Sequence, residues 1–119
     1  MKNLLLVDDE RVFLMSLSES LRQSLDNINV ITAENGEEAI KILDSMPVDF
    51  VVTDLQMPVL NGFGVLSHLK EFYPSIPVLV MTAYVNDETM KRLSSLGFLN
   101  IMEKPIEFED VIQEIRERI

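Results

Sequence analysis

The sequence predicts an α/β fold: one parallel sheet with helices on both faces. Three observations carry that reading. Five short apolar runs recur along the 119 residues, most of them unbroken, as suits strands covered on both sides. Between them lie segments whose apolar residues fall three and four apart, the stripe of an amphipathic helix. Turn and cap residues stand where one kind of segment gives way to the other. Alternation of this sort makes five strand–helix units, joined by right-handed crossovers into a parallel sheet.

The first strand covers residues 4–7, and Leu14, Leu17, Leu21 and Leu25 form the stripe of the first helix. The second strand covers residues 28–32. Asn35 and Glu38 then have the spacing of a helix N-cap with its reciprocal acid, ahead of Ala39, Ile40 and Leu43. The third strand, residues 50–53, leads to a helix carrying Val65, Leu66 and Leu69. Pro74 and Pro77 bracket the turn into the fourth strand, residues 78–81. Asn86 and Asp87 cap a short fourth helix bearing Met90 and Leu93, and Gly97 ends it. The fifth strand is read over residues 98–102, and Phe108, Val111, Ile112, Ile115 and Ile119 give the last helix its apolar face.

Length and composition narrow the function. A chain of 119 residues is one domain by default, spanning 1–119. Without cysteine there is no disulfide framework and no thiolate metal site. A formal net charge of −10 argues against nucleic acid, whose phosphates demand a basic face. No apolar run approaches the roughly 20 residues that span a bilayer. The run in MKNLLLVDDE ends in acids too early for a signal peptide. A cytoplasmic protein off the membrane is the expectation.

In parallel α/β sheets, ligands bind beyond the carboxyl ends of the strands. The first strand ends in Asp8, Asp9 and Glu10, the third in Asp54, the fourth in Thr82 and Ala83, and the fifth in Lys104 and Pro105. One edge of the sheet should therefore gather aspartates, a hydroxyl and an ammonium. Crowded carboxylates repel unless a cation joins them, and all-oxygen ligation suits magnesium or manganese. The loop after the first strand has no glycine-rich turn, so it is no anion cradle by itself. A carboxylate beside magnesium can attack a phosphoryl group and give an aspartyl phosphate. Asp54, aimed by a buried strand, is the candidate nucleophile. Lys104 would supply a second positive contact to the phosphoryl oxygens, and Thr82 a hydroxyl donor. Pro58 and Gly62 would shape the loop that lets a metal approach the backbone.

Four motifs carry these residues: VDDE at 7–10, DLQMPVLNG at 54–62, MTA at 81–83 and KP at 104–105. In order and spacing the sequence resembles receiver domains of the bacterial two-component response regulators, over essentially its whole length. The resemblance implies a flavodoxin-like, doubly wound (βα)5 fold with strand order 2-1-3-4-5. It makes Asp54 the phosphoacceptor and Thr82 the switch hydroxyl. It has Asp9, Asp54 and the Gln56 carbonyl bind Mg2+, with Mn2+ as a substitute, and Asp8 act through water. Lys104 pairs with the phosphoryl group, and its bond to Pro105 is cis. The donor would be a sensor histidine kinase or a histidine phosphotransfer domain. Phosphorylation would bias helix 4 and strand 5, with a homodimer through helix 4, strand 5 and helix 5. The chain would be a phosphoacceptor switch with self-catalysed transfer and slow autodephosphorylation, not an enzyme. One position departs from the pattern: Ile101 stands where these domains commonly carry a switch tyrosine or phenylalanine. Tyr84 is read as a ring that slows hydrolysis of the phosphoaspartate.

Three other readings compete. A dehalogenase-type phosphatase with an aspartate nucleophile needs a DxDx(T/V) signature, which Asp8-Asp9-Glu10-Arg11 lacks. A flavodoxin-like cofactor carrier needs a hydroxyl- and glycine-rich loop where this chain has acids. A receiver-like docking module that works without phosphorylation has no need of the acid, threonine and lysine set. His68 is taken as a surface residue without a role, and the seven methionines as core filler.

Overall fold

A computed structural model describes residues 1–57 and 61–119. Five strands alternate with five helices: β1 (Lys2–Val7), α1 (Arg11–Ser24), β2 (Ile28–Ala33), α2 (Gly36–Ser45), β3 (Phe50–Asp54), α3 (Gly62–Phe72), β4 (Val78–Thr82), α4 (Asp87–Leu96), β5 (Ile101–Glu103) and α5 (Phe108–Arg118). The strands are parallel in the order β2-β1-β3-β4-β5, the doubly wound flavodoxin-like arrangement. Pro58 lies outside the described residues.

Period-two alternation splits the central strands between two apolar layers. Leu4, Leu6, Phe50, Val52, Leu79 and Met81 face α1 and α5, where Leu14, Leu17, Leu21, Val111, Ile112 and Ile115 are buried. Leu5, Val7, Val51 and Val80 face the other way, onto Ala39, Leu43, Leu66, Leu69 and Leu93 of α2, α3 and α4. All five residues of β3, and all five of β4, are buried. Both faces are covered, which is why these strands read as unbroken apolar runs. Register does the rest. Val7 lies level with Thr53 and Asp54 with Met81, so the carboxyl ends of β1, β3 and β4 come together at one edge.

The caps explain the boundaries. Asn35 Oδ1 accepts the Glu38 N–H at 2.8 Å, and Asn86 Oδ1 accepts the Thr89 N–H at 2.9 Å. Asn61, not singled out from the sequence, caps α3 by accepting the Phe63 and Gly64 N–H groups at 3.0 and 3.3 Å. Gly97 ends α4 in the left-handed region, φ +88°. The chain then folds back, with the Phe98 N–H donating to the Leu93 carbonyl.

That turn corrects the fifth strand. It runs over Ile101–Glu103, not 98–102, because Phe98 closes the helix cap and packs on the core from a loop, while Leu99 is 77% exposed. An added Cβ at Gly97 would meet no atom within 4 Å, so only backbone strain opposes it. Gly97→Ala should cost roughly 1–2 kcal/mol of stability, read as a lower urea midpoint at unchanged slope.

His68 proves to be more than a surface residue. Its ring packs against Phe72, centroids 4.8 Å apart and planes tilted by 50°, and its Nε2 lies 2.8 Å from Asp44 Oδ1, which also accepts the Tyr73 hydroxyl at 2.7 Å. These contacts tie α3 to α2 and hold the Asp44 carboxyl below its usual range, chiefly through the Tyr73 hydrogen bond. Among the described residues, no helix is long and apolar enough to cross a membrane.

Candidate functional site

The carboxyl edge of the sheet brings together the acids read from the sequence. Asp8 follows β1 and is fully buried, held by its own N–H donating to Ala33 O at 3.1 Å. Its Oδ1 accepts the Glu10 N–H at 2.9 Å, which fixes the start of α1. Asp54, the last residue of β3, is 5% exposed, and its Oδ1 accepts the Gln56 N–H at 3.3 Å. Lys104 reaches across from the end of β5. Its Nζ donates to Asp8 Oδ2 at 2.9 Å and to Asp54 Oδ2 at 3.1 Å, with Glu10 Oε1 at 3.9 Å. Asp9 completes the group: carboxylate oxygens of Asp8, Asp9 and Asp54 all lie within 4.8 Å of one another.

Charge at this edge is out of balance. Asp8, Asp9, Glu10 and Asp54 gather around one ammonium among the described residues. Burial raises the Asp54 pKa above its usual value of 3.8; Lys104 opposes that, and the Asp8 charge adds to it. Burial works against the Lys104 ammonium as well, yet its hydrogen bond to Asp8 and the charge of Asp54 outweigh burial and raise its pKa. The two shifts are consistent: one ammonium shared by two buried carboxylates is firmly held, but it does not offset the burial of Asp54. Hard oxygen donors, close spacing and uncompensated negative charge fit a divalent cation such as Mg2+.

The remaining candidates stand around this cluster. Thr82, the last residue of β4, is buried, and its Oγ1 accepts the Tyr84 N–H at 3.0 Å. Its carbonyl accepts the Lys104 N–H at 2.9 Å, which locks the ends of β4 and β5 together. The Lys104–Pro105 peptide is cis. A cleft of about 270 Å³ opens over the acids, lined by Asp9, Asp54, Gln56, Ala83, Tyr84 and Lys104. Tyr84 stands at its mouth, 55% exposed. Ile101 is half-buried on β5, level with Val80.

Two features of the site escaped the sequence reading. Gly62 has a closer task than shaping a metal loop. An added Cβ there would lie 2.2 Å from the Asp54 carbonyl oxygen and 2.6 Å from Leu55 Cα, and the Gly62 N–H donates to Leu55 O at 2.9 Å. The start of α3 thus rests directly on the backbone that presents Asp54. Phe13, on α1, lays its ring 4.8 Å from Lys104 Nζ. It had been indistinguishable from an ordinary helix residue, since no spacing links positions 13 and 104.

Comparisons with known proteins agree with this arrangement. Residues 4–116 match the family described as the response regulator receiver domain. A response regulator receiver protein of Anaeromyxobacter is 33% identical over 106 residues, 89% of this chain and 44% of that protein. The transcriptional regulatory protein GlrR of Escherichia coli is 30% identical over 113 residues, 95% of this chain and 25% of its own length. The chain therefore spans less than half the length of these curated relatives. Among solved structures, the response regulator TrrA of Thermotoga maritima, determined in complex with Mg2+ and BeF, superposes over 100% of both chains with a TM-score of 0.85 at 29% identity.

Proposed function

This chain belongs to the response regulator receiver family, and from that premise we propose that it is a phosphorylation-controlled switch with Asp54 as its phosphoacceptor. One observation carries the reading: a buried strand delivers the Asp54 carboxylate into an acidic cleft, where it shares the Lys104 ammonium with Asp8. Asp8, Asp9, Asp54 and the Gln56 carbonyl would hold Mg2+. When bound, the ion neutralises phosphoryl oxygens and lets the acids face an anionic donor.

The donor is a phosphohistidine of a sensor kinase or a phosphotransfer domain. An Asp54 oxygen forms a bond to phosphorus as the donor's P–N bond breaks, and the imidazole nitrogen keeps that electron pair. Lys104 meets the new negative charge with a donor already held in place. The Thr82 Oγ1 already accepts the Tyr84 N–H, so its own O–H is the donor left for the phosphoryl group. Drawing Thr82 inward shifts a two-state equilibrium in α4 and β5. In this reading the response passes to a partner or effector domain, or to a second copy through α4, β5 and α5, in the cytoplasm. The 1–119 unit acts as acceptor and switch, not as an enzyme of turnover.

Acetyl phosphate with Mg2+ should label the protein. Borohydride reduction and peptide mapping should then place the modification at residue 54, and a chelator should prevent it. Label at another residue overturns the assignment. Tyr84→Ala should shorten the lifetime of the phosphorylated form, because the ring at the cleft mouth stands where water must enter; an unchanged lifetime by intact-mass decay sinks that role.

A further inference from the structure

The structure assigns a positioning residue to this site: we propose that Phe13 holds the Lys104 ammonium in its shared place between Asp8 and Asp54, and so sets the rate of phosphoryl uptake. The assignment rests on the phosphoacceptor reading above. Nζ of Lys104 spends two donors on the carboxylates, at 2.9 and 3.1 Å. The Phe13 ring centroid lies 4.8 Å from that same nitrogen. An ammonium within about 6 Å of a ring face is attracted by the ring's quadrupole, more strongly where water is excluded.

Water is largely excluded here. The Lys104 side chain is only 15% exposed. The Phe13 ring is itself braced, with the ring of Phe108 meeting it edge-on at 5.8 Å and 71°. Together these rings wall an open, mostly apolar cleft of about 450 Å³ that also touches Glu10, Lys104 and Pro105. One ring comes from the first turn of α1 and the other from the first residue of α5, so the ring that faces the ammonium is braced from a second helix.

The physical role follows from the geometry of the attraction. Hydrogen bonds to Asp8 and Asp54 are directional and must be partly surrendered when phosphorus arrives at Asp54. Attraction to a ring face has no single direction. Nζ can slide toward a phosphoryl oxygen without leaving the ring, and it need not rebuild a water shell on its far side. A leucine fills much of the same volume but has no quadrupole, and it would leave the ammonium free to swing toward Glu10, whose Oε1 already lies at 3.9 Å.

The test compares Phe13→Leu and Phe13→Tyr with the parent protein. The Lys104 ε-methylene protons of the parent should resonate upfield through the ring current, with or without phosphoryl donor. Phe13→Leu should lose that shift and take up phosphoryl from acetyl phosphate roughly fivefold more slowly, at unchanged Mg2+ affinity. Phe13→Tyr should restore both. Equal uptake rates in parent and Phe13→Leu, or a fall that Tyr fails to rescue, overturns the assignment. A parent that takes up no phosphoryl group at all overturns the phosphoacceptor reading instead, and the ring-current shift still reports whether Phe13 sits on Lys104.

Discussion

Asp54→Asn should take up no phosphoryl group from acetyl phosphate while remaining folded. The amide is nearly isosteric with the carboxylate and keeps an oxygen for the Gln56 N–H. It lacks the anionic lone pair that attacks phosphorus, and it removes one of the negative charges around the site. Uptake should fall to background by intact mass; persistent labelling would refute the phosphoacceptor assignment. The same variant should also change how stability responds to pH. Burial, reinforced by the charge of Asp8, raises the Asp54 pKa in the folded protein, so the folded state keeps this proton to higher pH than the unfolded chain, whose usual value is 3.8. The stabilisation is fully present below 3.8 and is lost as pH rises through the raised value. With a chelator present, the stability of the parent relative to Asp54→Asn should therefore decline with rising pH across that window. Urea titrations at stepped pH give the comparison, and a difference independent of pH would contradict the burial argument.

Gly62→Ala should be far more damaging than Gly97→Ala. A methyl group 2.2 Å from the Asp54 carbonyl and 2.6 Å from Leu55 Cα meets backbone on both counts, so no side chain can rotate out of its way. The first turn of α3 must lift off the end of β3. Overpacking of this kind costs about 1–3 kcal/mol, and more where nothing flexible yields. The larger effect falls on function, because the atoms displaced are those that aim Asp54 and Gln56. A geometric error at a reacting centre costs far more in rate than the strain does in stability. Uptake of phosphoryl should drop about 100-fold while the urea midpoint shows a modest loss. A variant with normal uptake would mean that the loop relaxes without moving the carboxylate. Gly97→Ala is the matched control, since it alters a helix end far along the chain and touches no atom of the site.

The legible parts of the molecule were those with a period or a paired signal. Alternating segments announced the sheet, and the residues just past each strand announced the acid edge, because parallel topology sends every strand end to the same side. The motif set from VDDE to KP carried Asp8, Asp9, Asp54, Thr82 and Lys104. The fifth strand slipped because Phe98 and Leu99 are apolar for a different reason: one closes the Gly97 cap and the other faces water. Asn61 was passed over for want of an acid three residues on; Phe63 and Gly64 offer only their N–H groups. The crowding at Gly62 and the reach of Phe13 to Lys104 depend on backbones and side chains distant in sequence, and no local pattern encodes either. His68 looked idle for the same reason, since its partner Asp44 lies on another helix.

The Lys104 N–H bond to the Thr82 carbonyl bears on how the site could be moved to another protein. Hydroxyl and ammonium hang from strand ends that are bonded to each other, so neither strand end can be repositioned while the other stays put. A designer who grafted the acid loops and one of these strands onto a foreign sheet would import half of a coupled pair. The smallest transplant that keeps their spacing is both neighbouring strands in their native register, with the helix that follows the second.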